Sequence, residues 1–313
     1  MNAKAPQIPL PGFGVDPLPI DRDRPMKVGQ AAVSYAPTKQ ILTKATGFMD
    51  AYDFTLNPYS GCSYGCTYCY AAFFSGSARS RRTWGEWVKV KENAVELMDR
   101  YRPGYLDGKL IYMSSVTDPY QPIERKLGIT QGILEILAEE GRHKPKLVIQ
   151  TRSPDVVRDT GLFNQIESNG GRVRVNMTVT TDDEDIRRTF EPSCPSNAVR
   201  LSAIGRVNDA GIDTCITMTL LVWVNDPDAF ADSLIETGVE NFIAQPFHFK
   251  RGKFLAGTRD RALTLVTEKL GCTLEAFRKD QSIYLSRYEE AFEVLESRLP
   301  NLGEGKDGFS PPF

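Results

Sequence analysis

The chain has 313 residues, 41% hydrophobic and 25% charged, with a net charge of -2 and an isoelectric point near 5.9. A globular chain of this length buries about 75% of its unfolded surface, and its near-neutral charge carries no global basic field that would advertise nucleic acid. Six cysteines are too few for a disulfide-built scaffold, and three of them clustered at metal-ligand spacing point to a reducing, cytoplasmic setting. The first 21 residues lack an apolar signal core, and no run approaches the ~18 apolar residues of a membrane span.

Prolines at positions 6, 9, 11, 17, 19, 25 and 37 make residues 1–50 read as an extended arm with little regular structure. An alternation follows. Apolar, β-rich runs at 54–56, 110–113, 147–150, 173–180, 213–222 and 241–244 predict strands. Stretches at 88–101, 128–140, 154–168, 183–190, 196–210 and 226–237 predict helices. Ser153-Pro154-Asp155 places a cap before a first-turn proline, and Gly211 stands where a helix C-terminus is expected. Residues 259–298 read as two further helices, and 303–313 as a polar tail. About six strand–helix units predict a parallel sheet, either open and doubly wound or curled as a partial barrel. The resulting division is an arm over 1–50, an α/β unit over 51–250, and a helical extension and tail over 251–313.

Both architectures put ligands at the C-terminal ends of the strands. Polar residues fall there in succession. The cysteine loop follows the first strand, and Ser114-Ser115-Val116-Thr117-Asp118-Pro119-Tyr120 the second. Thr151-Arg152-Ser153 follows the third, Thr178 and Thr180-Thr181-Asp182 end the fourth, and Trp223 with Asn225 follows the fifth. Gln245-Pro246-Phe247-His248 follows the sixth.

The loop reads Gly61-Cys62-Ser63-Tyr64-Gly65-Cys66-Thr67-Tyr68-Cys69-Tyr70, a Cys-x3-Cys-x2-Cys spacing. Three thiolates can hold three irons of a 4Fe–4S cube and leave the fourth iron open to a small ligand. Two other readings remain. A zinc site would recruit a fourth ligand from His143, His248, Cys194, Cys215 or Cys272. A fully ligated redox cluster would also need a fourth cysteine, and ferredoxin runs use other spacings.

This motif, with an aromatic residue before its last cysteine, resembles the signature of radical S-adenosylmethionine enzymes. Asn57-Pro58-Tyr59-Ser60-Gly61-Cys62, Thr117-Asp118-Pro119, and Phe190-Glu191-Pro192-Ser193-Cys194-Pro195 with Arg200 are similar to the spore photolyase-like branch, over residues 50 to 250. The resemblance implies a partial (β/α)6 TIM-type barrel with a 4Fe–4S cluster on Cys62, Cys66 and Cys69. S-adenosyl-L-methionine would chelate the open iron and be cleaved reductively, giving a 5′-deoxyadenosyl radical that abstracts a hydrogen atom. It also implies an electron donor such as flavodoxin or ferredoxin. The substrate implied is a nucleic-acid base, with a small molecule, lipid or peptide as the alternative.

The resemblance assigns cofactor contacts as well. Tyr68 would lie along the adenine, and Arg152 stands in place of a lysine near the cofactor carboxylate. Thr178 stands where a serine hydroxyl touches the cofactor. Glu191 would bind ribose hydroxyls or tie its helix to the rim. Ser114, Ser115 and Asp118 belong to the same cofactor-binding rim. Tyr70 matches a tyrosine that relays a hydrogen atom in the photolyase. The photolyase cysteine expected shortly before the Asp-Pro pair is replaced here by Ser114-Ser115-Val116-Thr117, which puts the lyase reaction in question, because a serine O–H is too strong a bond to give up its hydrogen readily. Cys194 and Cys215 are the substitutes within the barrel, each more often a small buried hydrophobe. Cys272 is assigned to structure. Arg79-Ser80-Arg81-Arg82, with Lys89 and Lys91 beyond Trp84 and Trp87, either grips a phosphate backbone or forms a solvated helix start.

Overall fold

Strands such as Leu110-Ile-Tyr-Met and Lys146-Leu-Val-Ile-Gln-Thr are buried on both faces, as in a parallel sheet covered by helices. A computed structural model of the chain describes residues 24–249 and 258–313. In chain order the strands are β1 (Lys27–Val28), β2 (Ala31–Ala36), β3 (Leu42–Lys44), β4 (Phe54–Leu56), β5 (Tyr59–Gly61) and β6 (Trp87–Lys91). They continue as β7 (Leu110–Met113), β8 (Lys146–Thr151), β9 (Arg172–Thr178), β10 (Asp213–Thr219), β11 (Asn241–Gln245) and β12 (Asn301–Glu304).

The main sheet runs β12-β11-β10-β9-β8-β7-β4-β3. Its members pair in parallel, except that β3 pairs antiparallel with β4. Among the described residues β12 and β3 do not pair, so the sheet is a partial barrel. A small sheet, β1-β2-β6-β5, lies beside it.

Alternation separates two faces. One carries Ile111, Leu147, Ile149, Val175, Ile216 and Met218, buried against the helices in the principal core. Each such side chain contributes about 1.5–3 kcal/mol by burial. The other carries a polar ladder. Gln150 Nε2 donates to Thr178 Oγ1 (2.8 Å) and Thr217 Oγ1 (2.9 Å), and Gln150 Oε1 accepts from Tyr112 OH (2.7 Å).

Most expected helices are present, as Ile129–Ala138, Glu184–Phe190, Asn197–Asp209 and Pro227–Ile235. The 154–168 segment divides into a 3-10 turn, Pro154–Asp159, and a helix, Thr160–Ser168. Ser153 Oγ accepts from Asp155 N, and Gly211 takes φ +84° beyond its helix. No helix among the described residues is long and apolar enough to cross a membrane.

Four expectations need correction. Residues 88–101 are not one helix: Trp87-Val-Lys-Val-Lys alternates buried and exposed with period two and forms β6, leaving only Ala94–Asp99 helical. The arm is not irregular throughout, since β1 to β3 fall within it. Its first 23 residues, and the expected boundary at 250–251, lie outside the described residues. Residues 259–298 hold three helices, Asp260–Leu270, Leu274–Lys279 and Ser282–Arg298, because Gly271, at φ +68°, and Thr273 end one helix and cap the next.

The tail is the fourth. Asn301–Glu304 extends the main sheet as an edge strand. Phe309 and Phe313 pack with Ala45, Met49, Tyr52, Tyr112 and Val148 beneath the polar ladder. Tyr52 OH donates to Phe309 O at 3.2 Å, and Phe48 meets the Phe309 ring edge-on at 5.5 Å. These aromatics, hidden in a polar stretch, close the inner face. Phe309→Ala is expected to lower unfolding stability in urea by about 2 kcal/mol. A change within about 0.5 kcal/mol would mean the tail adds nothing to this core.

Candidate functional site

β5 delivers the chain into the cysteine loop. Gly61 takes φ +76°, and a Cβ there would lie 2.5 Å from the Trp87 ring and carbonyl, so no larger residue fits. Gly65, at φ +62°, faces Gly85, whose Cα would stand 3.1 Å from an added Cβ. The loop is pinned from several elements. Thr67 N donates to Phe190 O (2.8 Å), and Ser63 N donates to Gln121 Oε1 (3.0 Å). Gly61 O accepts from Thr117 Oγ1 (2.6 Å), and Cys66 O accepts from Arg259 Nη1 (3.4 Å).

Cys62 and Cys66 are buried and Cys69 is half-buried. Burial raises the Cys62 thiol well above its ordinary value, with Asp118, Cys66 and Cys69 adding to the rise, and pushes Cys69 up to about 11. Cys66 goes the other way. The Cys194 thiol, with its sulfur 3.5 Å away, favours the Cys66 thiolate. Three adjacent thiolates, two of them buried, are stable only against a strong positive charge. Among the described residues no three His, Cys, Asp or Glu side chains are arranged to hold one metal ion. The donor set suits a multi-iron group, in which each sulfur meets a different iron.

Beside the loop lies a buried carboxylate, Glu191. Its Oε1 accepts from Tyr68 OH, Arg152 Nη1 (2.9 Å) and Thr180 Oγ1 (2.8 Å), and its Oε2 accepts from Arg200 Nη2 (2.6 Å). Glu191 and Arg200 are both fully buried. Burial alone would push this carboxyl up. The Arg200 and Arg152 guanidiniums, with Tyr68 and Thr180 donating, outweigh burial and hold it down at about 2. Arg200 also donates from Nη1 to Thr178 O (2.9 Å) and from Nε to Pro195 O (3.0 Å). These bonds tie its segment to the rim, one of the two roles the sequence left open for Glu191.

Asp118 is a second tie. Its Oδ1 accepts from Tyr120 N (2.9 Å) and Thr151 Oγ1 (2.8 Å), and its Oδ2 accepts from Arg152 N (2.9 Å). Arg152 lies with its guanidinium carbon 5.7 Å from the centre of the Tyr68 ring, and its Nη1 also donates to Tyr68 OH (2.8 Å). Tyr68, Arg152, Glu191 and Asp118 are thus one connected group at the strand ends. Thr178 sits just below, its hydroxyl in the ladder with Gln150 and Thr217.

Tyr70 is 44% exposed at the start of the 3-10 segment Tyr70–Phe74, and its OH donates to Ser115 O. Ser115 Oγ accepts from Asn57 Nδ2 (3.4 Å). Ser114 takes φ +75°, unusual for a residue with a Cβ, and its buried hydroxyl meets no hydrogen-bonding partner. Cys215 lies on the inner face near Arg174 and Asp213, and Cys272 follows the Asp260–Leu270 helix. The aromatic interleaving of the basic run does not face outward: Trp84 is buried, and Trp87 donates from Nε1 to Ser80 O (3.0 Å). Lys91 turns inward to Asn57 O (2.7 Å), and burial pushes its ammonium down to about 8. Only Arg79, Arg81, Arg82 and Lys89 stay exposed. Sequence reasoning placed Thr180 on the rim without a role, and missed Gln121, which carries no local motif, and the contact between Cys66 and Cys194.

The family model for the Radical SAM superfamily matches residues 56–232. The chain belongs to the radical SAM superfamily. Membership implies a 4Fe–4S cluster and S-adenosylmethionine. The chain is 36% identical over 159 residues to an uncharacterized protein of Methanocaldococcus jannaschii, covering 51% of this chain and 56% of the relative. It is 27% identical over 192 residues to an uncharacterized protein of Mycobacterium tuberculosis strain H37Rv, covering 58% and 54%. The chain therefore spans only about half the length of these curated relatives. Among solved structures, a spore photoproduct lyase mutant with bound AdoMet and dinucleoside spore photoproduct superposes with a TM-score of 0.53 at 12% identity, covering 87% of this chain and 81% of that one. This likeness establishes the fold.

The Glu191 clasp generates a pH prediction. A carboxyl held at about 2, against an ordinary 4.5, stabilises the fold fully above 4.5 and loses that contribution as pH falls toward 2. Glu191→Gln leaves two buried guanidiniums without their counter-charge and is expected to cost roughly 3 kcal/mol at neutral pH. In denaturation series, the gap between variant and parent should close between pH 4.5 and 2. A gap independent of pH would contradict the assignment.

Proposed function

We propose that this chain is a radical S-adenosylmethionine enzyme in which Cys62, Cys66 and Cys69 hold a 4Fe–4S cluster with one iron open to the cofactor, and that its substrate is a nucleic-acid base. The observation that carries the reading is the buried, glycine-shaped loop presenting these three cysteines at the strand ends of a radical SAM fold. When bound, the cluster and S-adenosyl-L-methionine supply the reductive C–S cleavage whose 5′-deoxyadenosyl radical takes a hydrogen atom from substrate.

The protein's part is positioning. Arg152 is anchored through Nη1 and through its backbone N–H, and keeps further donors for the cofactor carboxylate. Asp118 and Glu191 act through Arg152 and Tyr68, fixing both against the loop. Tyr68 offers ring area beside that guanidinium for the adenine. Ser114, with an unpartnered buried hydroxyl, and Ser115 present polar atoms on the same rim, and Thr178 orders the ladder below it. Tyr70, half-exposed at the rim, is the group for passing a hydrogen atom between cofactor and substrate. Flavodoxin or ferredoxin would deliver the electron.

Two exposed aromatics support the substrate reading. Tyr70 (44% exposed) and Phe74 (65%) meet edge-on at 6.1 Å, beside the helix Ala78–Arg82 with Arg79, Arg81 and Arg82 in solvent. Aromatic faces stack bases and guanidiniums hold phosphates. After anaerobic reconstitution and chemical reduction, the protein should release 5′-deoxyadenosine. Alanine at Cys62, Cys66 or Cys69 should abolish both the brown absorbance and this release. DNA should be retained at low salt and lost as salt rises, and deuterated bases should pass label into the deoxyadenosine. Release without DNA retention or label transfer would redirect the substrate to a small molecule, lipid or peptide. No release under strong reductant would overturn the enzyme reading.

A further inference from the structure

Cys194 lies 128 residues beyond Cys66, and the two sulfurs are 3.5 Å apart in the buried interior. The contact is held from both sides. Cys194 N donates to Glu191 O (3.1 Å), and Arg187 Nη1 donates to Cys194 O (2.9 Å) and to Glu191 O (3.0 Å). Arg187 is itself buried and paired through Nε with Glu184 Oε2 (2.8 Å). Pro192 and Pro195 flank the turn and restrict its backbone. On the other side, Thr67 N to Phe190 O ties the cysteine loop to the same segment. This sulfur pair is therefore fixed by the frame from both sides of the contact.

We propose that Cys194 is a positioning residue that donates its S–H to the Cys66 sulfur and raises the reduction potential of the cluster. The inference rests on the reading of Cys66 as an iron ligand. Cys194 is not a fourth ligand, for a geometric reason. Each iron of a cube has one place outside the cube, and Cys66 fills the one on its own iron. Sulfurs bound to two different irons of a cube stand much further apart than van der Waals contact, so a thiol touching Cys66 is out of place for the open iron. What remains available to it is a hydrogen bond to the ligand sulfur. A donor there favours the more negative, reduced cluster, and hydrogen bonds to cluster sulfurs are among the means by which a protein sets the potential. The open iron stays open, and the chemistry assigned to it is unaffected.

The experiment compares parent protein, Cys194→Ala and Cys194→Ser after anaerobic reconstitution. All three should hold the same iron and sulfide. The midpoint potential should fall in the alanine variant and recover, in part or fully, in the serine variant, whose O–H still donates. A merely structural role would not produce this order. Equal potentials in all three, or loss of iron in the alanine variant, would overturn the proposal. In cluster-free protein, the oxidant diamide should join Cys66 to Cys194, with peptide mass spectrometry locating the disulfide. Its absence would likewise overturn the contact on which the proposal stands. Failure of the parent to take up iron would instead sink the ligand assignment itself, while the disulfide still reports on the sulfur pair.

Discussion

One carboxylate holds the strand-end rim of this molecule together. Glu191 is wholly buried, and two guanidiniums, a phenol and a threonine hydroxyl converge on its oxygens. These donors come from four places: the cysteine loop through Tyr68, the end of β8 through Arg152, the second residue beyond β9 through Thr180, and the helix Asn197–Asp209 through Arg200. A buried ion pair of this kind adds little net stability over a well-packed apolar core, because both partners lose their water. Its value lies in geometry. Bidentate and charge-assisted bonds have narrow angular tolerance, so the loop, the strand end and the helix keep one mutual arrangement. The choice of arginine over lysine at 152 fits this role, since one planar group can bind the carboxylate, stand over the Tyr68 ring and retain donors for a further anion.

The same logic extends inward and downward. Asp118 anchors the backbone of Arg152, so the guanidinium is located from both ends. Beneath it, the Gln150, Thr178 and Thr217 ladder satisfies polar groups that would otherwise be costly inside a sheet. Below that, Phe309 and Phe313 seal the inner face. A polar rim above a closed base is the shape that reactive chemistry shielded from water requires.

Six strands of the main sheet were legible because parallel β segments buried on both faces read as apolar runs: β4 and β7 match their expected limits, and β8 to β11 begin within one residue of theirs, although β9 and β10 end short of the expected 180 and 222. The cysteine spacing and the glycines around it were legible for the same reason, as local chemistry with local geometry. What the sequence hid was non-local or two-valued. Trp87-Val-Lys-Val-Lys carries apolar spacing compatible with a helix until β2 and β5 bind its two edges. The aromatics near the C-terminus looked like a polar tail because their partners, Met49, Tyr52 and Tyr112, lie some 200 residues or more away. Glu191 was visible in its motif, but nothing in the sequence tied it to Arg152, Arg200, Tyr68 and Thr180, which the structure gathers around it. The sulfur contact between Cys66 and Cys194 has no sequence signal at all.

In the proposed function three cysteines leave one iron of a cube open to S-adenosylmethionine, and electron paramagnetic resonance of the reduced, reconstituted protein reports on that iron. Adding the cofactor should change the g-values of the cluster signal as its amine and carboxylate enter the open iron. A spectrum indifferent to saturating S-adenosylmethionine, or a protein that binds zinc and no iron, would contradict it.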